Sequence, residues 1–393
     1  MTSTFRLAVL SDLHAAPKSA NAAATDVKLF TDQEHIAATE HPIGGLKALI
    51  QRLGLSADAV VCPGDMTNKA NAQALVYVWK ELHEISSQLG ASGIVATVGN
   101  HDVDSRGHSP DGFPRESLMR LVPPFPATDQ SLSDRYWAHG FCFQQVGSAR
   151  FLVINTCWLH EARDELERGV ITDYSLERIE KHLTTSPKSS LNIAVCHHHP
   201  HVHSDLKLGV DDVIRNGQRF LNMLADNGQW MVIHGHKHHP KIEYAQGEFR
   251  QPIVLASGSF SGRLEGDNAL VSKNYFHIID IQRTSPRLAG QVRSWNWIPG
   301  LGWAEYASTP PGFPSRAGFG SSTAVDKLAQ EVASIIGSRA AIRWEELTQQ
   351  QPELAFLMPK QLRALISDLR DTHNIHTVYD DLNYPKQMGP ELS

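Results

Sequence analysis

Six short runs of β-branched and apolar residues recur early in the chain, and most of them stop at a turn built from Asp, Asn, Gly or His. The runs are Phe5–Leu10, Ala59–Cys62, Gly93–Val98, Phe151–Asn155, Leu191–Cys196 and Trp230–Ile233. Runs this short and this uniformly apolar suit strands of a sheet covered on both faces. Between the first two, Ile43, Leu46, Ile50 and Leu53 line one helical face; after Asn71, the residues Leu75, Val78, Trp79, Leu82, Ile85 and Leu89 line another. Strands alternating with amphipathic helices predict an α/β sandwich. Ile253–Ala256 and Tyr275–Ile281 have no long helix between them and predict hairpin-linked strands of a second sheet.

The turns are where the chemistry collects. Phe5–Leu10 delivers Asp12-Leu13-His14, Ala59–Cys62 delivers Gly64-Asp65, and Gly93–Val98 delivers Gly99-Asn100-His101-Asp102. Leu191–Cys196 delivers His197-His198-His199-Pro200, and Trp230–Ile233 delivers Gly235-His236-Lys237-His238. In an open α/β fold, ligands gather outside the carboxyl ends of the strands, so these five turns are expected to converge on one crevice. In Asp12-x-His14 the two side chains leave the strand end on the same side and can reach one ion. Carboxylate, amide and imidazole donors together suit Mn, Fe or Zn, whereas an all-oxygen cage suits Mg or Ca. So many donors exceed one tetrahedral ion and suit two ions, ~3.5–4 Å apart, that share a bridging carboxylate.

The ordered blocks Asp12-x-His14, Gly64-Asp65, Gly99-Asn100-His101-Asp102, His198-x-Pro200 and Gly235-His236-x-His238 resemble the five signature blocks of the calcineurin-like metallophosphoesterases. The resemblance covers about residues 5 to 280. It implies a four-layer α/β/β/α sandwich of two mixed sheets flanked by helices, with a small, mainly helical C-terminal extension. It also implies that Asp12, His14 and His238 bind a first metal, that Asp65 bridges, and that Asn100, His198 and His236 complete a second site. His198 is aligned by its distance from Pro200, with His197 as the alternative, because three histidines precede that proline where the family usually has one or two. His101 is then no ligand: it meets the phosphate and protonates the leaving oxygen, with Asp102 orienting its ring. Arg106 is a candidate fork of donors for a substrate phosphate.

Composition narrows the function. Lys plus Arg number 36 against 42 Asp plus Glu, a net charge of −6, which disfavours a nucleic-acid glove built on counterion release. No apolar run is long enough for a membrane span. Four cysteines without a C-x-x-C pair fit no disulfide framework, so a cytoplasmic setting is expected. There is no G-x-x-x-x-G-K-S/T loop, G-x-S-x-G elbow or G-x-G-x-x-G turn. The expected activity is hydrolysis of a phosphodiester, nucleotide-like, by attack of metal-bound hydroxide at two divalent or mixed-valence Mn, Fe or Zn ions. Block spacing similar to that of the branch with class III cyclic-nucleotide and glycerophosphodiester phosphodiesterases carries the diester preference. The alternatives are a DNA or RNA nuclease of the same superfamily, a phosphomonoesterase, and a non-catalytic scaffold on this fold.

The remaining features have plainer readings. His201, His203, His234 and His239 are expected to orient ligands or face solvent. Trp295, Trp297 and Trp303 are expected to pack in the core, although they have the faces to stack a base. Lys18–Glu40 and Arg106–Pro126 are long loops of the kind that carry specificity. The catalytic domain is expected over 1–298, a Pro/Gly/Ser-rich linker or strap over 299–322, and a helical, winged-helix-like extension over 323–393. That extension holds seven Lys plus Arg against ten Asp plus Glu, so packing or homo-oligomer formation is expected of it before duplex binding.

Overall fold

Strand β1 (Thr4–Val9) lies inside the first of two large sheets in a computed structural model. The structure describes residues 4–18, 28–33, 37–103, 114–160, 168–202, 212–245, 251–262, 273–284, 287–307 and 312–390. β1 runs parallel to β2 (Ala59–Cys62), and β2 runs parallel to β3 (Ile94–Ala96). On its other side β1 pairs antiparallel with β10 (Tyr275–Thr284), followed by β11 (Arg287–Ile298) and β12 (Gly302–Ala304). Helices α1 (Pro42–Leu53) and α2 (Ala72–Gln88) are the two amphipathic segments read from the sequence. Asn71 caps α2 by accepting the Ala74 amide (2.8 Å), and Gly54 ends α1 in the left-handed region.

The second sheet runs β4-β5-β6-β7-β9-β8. Its strands are β4 (Phe141–Val146), β5 (Ala149–Ile154), β6 (Asn192–Val195), β7 (Trp230–His234), β8 (Lys241–Tyr244) and β9 (Ile253–Ala256). The four strands from β5 to β9 in that order are mutually parallel. Alternation divides their side chains between two cores. Phe151, Val153, Ile193, Val195, Met231 and Ile233 enter the core shared with the first sheet. Leu152, Ile154, Ala194, Cys196, Trp230 and Val232 enter the core under helices α3 (Asp173–Thr185) and α4 (Gly217–Asp226). The result is helices, sheet, sheet, helices.

Two expectations need correcting. β9 and β10 are not hairpin partners in one sheet: β9 joins β7, while β10 pairs with β1. Between them the chain crosses from one sheet to the other, where Phe260 and Ser261 donate their amides to Ser11 and Asp12 carbonyls. Residues 299–322, read as a linker or strap, contain β12 and β13 (Arg316–Phe319), both hydrogen-bonded to β11. A strand of twelve residues has enough edge to pair with both. Trp295, Trp297 and Trp303 are buried, and the Trp303 indole donates to the Pro42 carbonyl (2.8 Å). They are core residues.

The C-terminal segment has a core of its own, built by Leu328, Val332, Leu347, Leu365, Leu369 and Met388. Helices α5 (Val325–Ile336), α6 (Trp344–Gln350) and α7 (Pro359–His373) surround a sheet ordered β14 (Ile342–Arg343), β16 (Pro385–Gly389), β15 (His376–Tyr379). It is fastened to the first large sheet by Gly318 and Ser321 amides donating to the Leu357 and Phe356 carbonyls, and by an Arg287–Glu353 ion pair. Among the described residues, no helix is long and apolar enough to cross a membrane, and all four cysteines are buried thiols.

One buried group ties this packing to pH. His277 on β10 lies between Ser294 Oγ (2.7 Å) and the Ser257 carbonyl (2.8 Å), and burial pushes it down to about 4. An unfolded histidine takes its proton near 6.5, so the folded state is penalised as pH falls from there to about 4. The expected loss is on the order of 3 kcal/mol at about 1.4 kcal/mol per unit. Urea unfolding followed from pH 7 to 4.5 should show at least that slope, since His14 and His236 are also depressed, and His277→Gln should make it shallower; equal slopes would contradict this account.

Candidate metal centre

Asp12, Asp65 and Asn100 follow the parallel strands of the first sheet, and His197, His236 and His238 follow those of the second. The turns are woven together. Asp12 and His14 donate their amides to the carbonyls of Gly64 and Asp65 (3.0 Å each), and Gly235 donates to the carbonyl of His197 (3.1 Å). The His236 amide donates to Asp12 Oδ1 (3.0 Å), linking the two sheets at the site. Five of the donor residues stand at positive φ: Asp12 (53°), His14 (48°), Asp65 (51°), His236 (86°) and His238 (57°). Asp and His tolerate this region better than β-branched residues do, but it still carries strain. The D-x-H pair therefore shares a target through left-handed turns rather than through strand geometry. Gly99 is needed for a different reason: a Cβ there would collide with the Asp65 side chain.

The side chains form two adjoining clusters. In the first, His14 Nε2 lies 2.9 Å from His238 Nε2, and His238 Nε2 lies 3.4 Å from Asp12 Oδ1. In the second, Asn100 Oδ1 lies 2.9 Å from His197 Nε2 and 3.0 Å from His236 Nδ1. Asp65 Oδ2 stands between them, 3.6 Å from His14 Nε2 and 3.3 Å from His197 Nε2. The other Asp65 oxygen accepts the His101 amide (2.7 Å).

His198, the aligned candidate, is not in this set; His197 takes the place. Strand parity explains it. Val195 faces the core between the sheets and Cys196 faces the opposite core, so His197 points inward and His198 outward. His198 Nδ1 instead lies 2.8 Å from Thr156 Oγ1.

Asp102 also differs from its expected role. Its carboxylate accepts the amides of Gly99 (2.9 Å) and Thr67 (2.8 Å), so it holds the loop rather than the His101 ring. The ring is held by Asn68, whose Oδ1 accepts from His101 Nδ1 at 3.2 Å. Only its position three residues after Asp65 marked Asn68 in the sequence. Arg106 lies outside the described residues, as do His203 and much of the two long loops. His234 and His239 are buried, with His234 against the ring of His199 (centroids 4.4 Å apart).

The electrostatics suit cations. Asp12 and Asp65 are fully buried, and among the described residues neither forms an ion pair with Lys or Arg. Burial opposes ionisation of Asp65, yet the protonated His197 beside it holds it well below the usual carboxylate range. Burial likewise opposes a charge on His197, and the Asp65 carboxylate outweighs it, pushing His197 up to about 9. A proton on His197 thus supplies the positive charge that Asp65 demands, the charge a metal ion would bring in its place. Burial, with His101, pushes His14 down to about 3, and burial pushes His236 to about 4. Both are neutral imidazoles, the metal-binding form. Asp12, His14, His238 and Asp65 would hold one ion; Asp65, Asn100, His197 and His236 would hold the other.

A sequence model of the calcineurin-like phosphoesterase family matches residues 5–240. A second model, for a calcineurin-associated wHTH segment, matches residues 317–371. No curated protein matches the sequence significantly. Among solved structures, the chain is similar to the purple acid phosphatase PPD1 of yellow lupin, Lupinus luteus, at 13% identity and a TM-score of 0.44. That alignment covers 75% of this chain and 52% of the lupin chain, so it spans about half of the lupin protein's length. GAP50, described as the anchor in the inner membrane complex of Plasmodium, aligns at 15% identity and a TM-score of 0.41, covering 76% of this chain and 86% of its own. Vps29 of Chaetomium thermophilum aligns at 11% identity and a TM-score of 0.32, covering 76% and 92%.

Proposed function

Because the chain belongs to the calcineurin-like phosphoesterases, we propose that it is a two-metal hydrolase whose substrate is a phosphodiester of nucleotide type. The observation that carries the two-metal reading is the single Asp65 oxygen set between two clusters of ligand-type side chains, 3.6 and 3.3 Å from the nearest ring nitrogen of each. Two ions bound there would polarise the phosphoryl oxygens and acidify a coordinated water.

The protein's own groups do the rest. Asp12 and Asp65 fix the charge of the site, and Ser11 Oγ holds the second Asp12 oxygen by donating to it (2.5 Å). His101 lies beside the first cluster, its ring edge-on to His14 with centroids 4.6 Å apart. With Nδ1 donating to Asn68, Nε2 of His101 is the atom that would take up a proton and pass it to a leaving oxygen. Asn68→Ala should therefore lower kcat by roughly 10–100-fold, the scale of an outer-shell partner. The Asp65 centre should keep its two ions, and the acid limb of the pH–rate profile should move. An unchanged profile with full activity would leave Asn68 a packing residue.

The diester preference rests on the block spacing and on one further feature. Lys237, between His236 and His238, is engaged by Asp212 (2.5 Å), so it is not poised to meet the extra charge of a monoester. A second reading is a nuclease, favoured by the wHTH match over residues 317–371. The acidic balance from Thr323 onward weighs against it.

One hydrolysis panel separates these. Metal-stripped protein refilled with Mn(II) is given an activated diester, an activated monoester, a cyclic nucleotide, and single- and double-stranded DNA. Turnover of the small diesters is the expected result. Preferential cleavage of DNA, falling steeply with salt, would replace this reading with the nuclease. Turnover of the monoester alone would overturn the diester assignment.

A further inference from the structure

We infer that Cys157, His160 and His198 form a third cation site, separate from the Asp65 centre, that takes a thiolate-binding divalent ion such as Zn(II). Each of the three offers a ligand atom within 4.8 Å of the other two, and all three residues are at least 99% buried. Tetrahedral zinc, with Zn–S ~2.3 Å and Zn–N ~2.0–2.1 Å, draws such atoms only modestly closer.

The hydrogen bonds around the two rings have the pattern that fixes a metal-binding imidazole. His198 Nδ1 faces Thr156 Oγ1 at 2.8 Å, and His160 Nε2 faces the Arg168 carbonyl at 3.1 Å. When His198 Nδ1 donates to Thr156, its Nε2 keeps a lone pair for a cation. On His198 that remaining atom, Nε2, is buried and has no hydrogen-bond partner. A buried nitrogen without a partner costs stability unless something meets it. The cysteine Sγ makes a weak contact with the Val98 carbonyl, donating to it at 3.7 Å.

The local fold holds these groups together. His198 follows β6; Cys157 and His160 come from the segment after β5. The Val170 amide donates to the Thr156 carbonyl (2.9 Å), and Gly169 packs so closely on the His198 ring that a Cβ there would clash with it. A cation at this position would tie the segment after β5 to the end of β6, immediately behind His197. The step balances simply. The Cys157 S–H bond breaks, its proton leaves to solvent, and the sulfur lone pair forms the bond to the metal. Both rings bind as neutral donors, and nothing is oxidised or reduced. The thiolate also cancels one unit of the ion's charge, which limits repulsion with the neighbouring centre.

Cobalt reads this site without reference to turnover. Thiolate-to-Co(II) charge transfer in the near ultraviolet requires a cysteine ligand, and among the described residues none of the donor groups around Asp65 contains one. Full-length protein, stripped by chelation and refilled with Co(II), should show the band. The band should persist in Asp65→Asn and disappear in Cys157→Ser, with one metal equivalent lost by elemental analysis in the latter. His160→Gln, a milder change, should weaken cobalt binding at the band by ~10-fold or more. No band in the wild-type protein, or a band unchanged in Cys157→Ser, would overturn the proposal and leave Cys157 a core thiol.

Discussion

Asp65→Asn should reduce kcat/KM by about a thousandfold or more and strip the centre of both ions, because a single side chain serves both clusters. The substitution is nearly isosteric, so size is not at issue. The negative charge is. Asp65 is the carboxylate set directly between the two clusters, against His14 on one side and His197 on the other. An amide in its place has one weaker acceptor and no charge to offset two cations in a buried setting. Its Oδ1 position, which accepts the His101 amide, would still orient the loop if the amide oxygen takes that role. Elemental analysis beside kinetics provides the check. His101→Ala is the control: it should keep both ions and lose rate, since its Nδ1 is engaged by Asn68 even though the ring lies within ligand distance of His14 and Asp65. Retention of both ions in Asp65→Asn would mean that Asp65 does not bridge.

The second large effect separates two adjacent histidines. His197→Ala should lose the ion held with Asn100 and His236 and cut activity by about 10²–10³-fold, the scale at which a charge-stabilising group is removed from an active site. His198→Ala should keep the Asp65 centre loaded. The reason lies in direction: His197 reaches Asn100 Oδ1 at 2.9 Å, whereas His198 lies against Thr156. Isothermal titration of metal-free variants with Mn(II) reads the site count directly. A full complement in His197→Ala, with loss in His198→Ala, would reverse the assignment.

That pair also shows where sequence reading stopped. The five blocks, their order and their position after apolar runs were all legible, and so was the two-sheet sandwich that brings them together. The choice between His197 and His198 was not. It depends on which face of β6 points inward, and a strand buried on both faces shows no polar alternation to betray it. Distance from Pro200 was a weaker guide than strand parity. Asp102 was misread for a related reason: its neighbour His101 suggested a partnership, but the carboxylate faces the amides of Gly99 and Thr67. Asn68 is brought to His101 by a turn whose Lys69 and Ala70 are also left-handed, and local propensity does not predict such a turn. β12 and β13 were hidden because strands of three and four residues in Pro- and Gly-rich sequence exist only through their long partner.

The left-handed backbone at Asp12, His14, Asp65, His236 and His238 has an evolutionary consequence. Each costs on the order of 1 kcal/mol that glycine would not incur. Selection for stability and selection for chemistry therefore pull these five positions in opposite directions. A lineage released from catalysis would find glycine at any of them conformationally easy, and would surrender its ions without surrendering its sandwich. Strain held at the donor positions is in that sense a record of use: it persists only while the reaction is worth keeping.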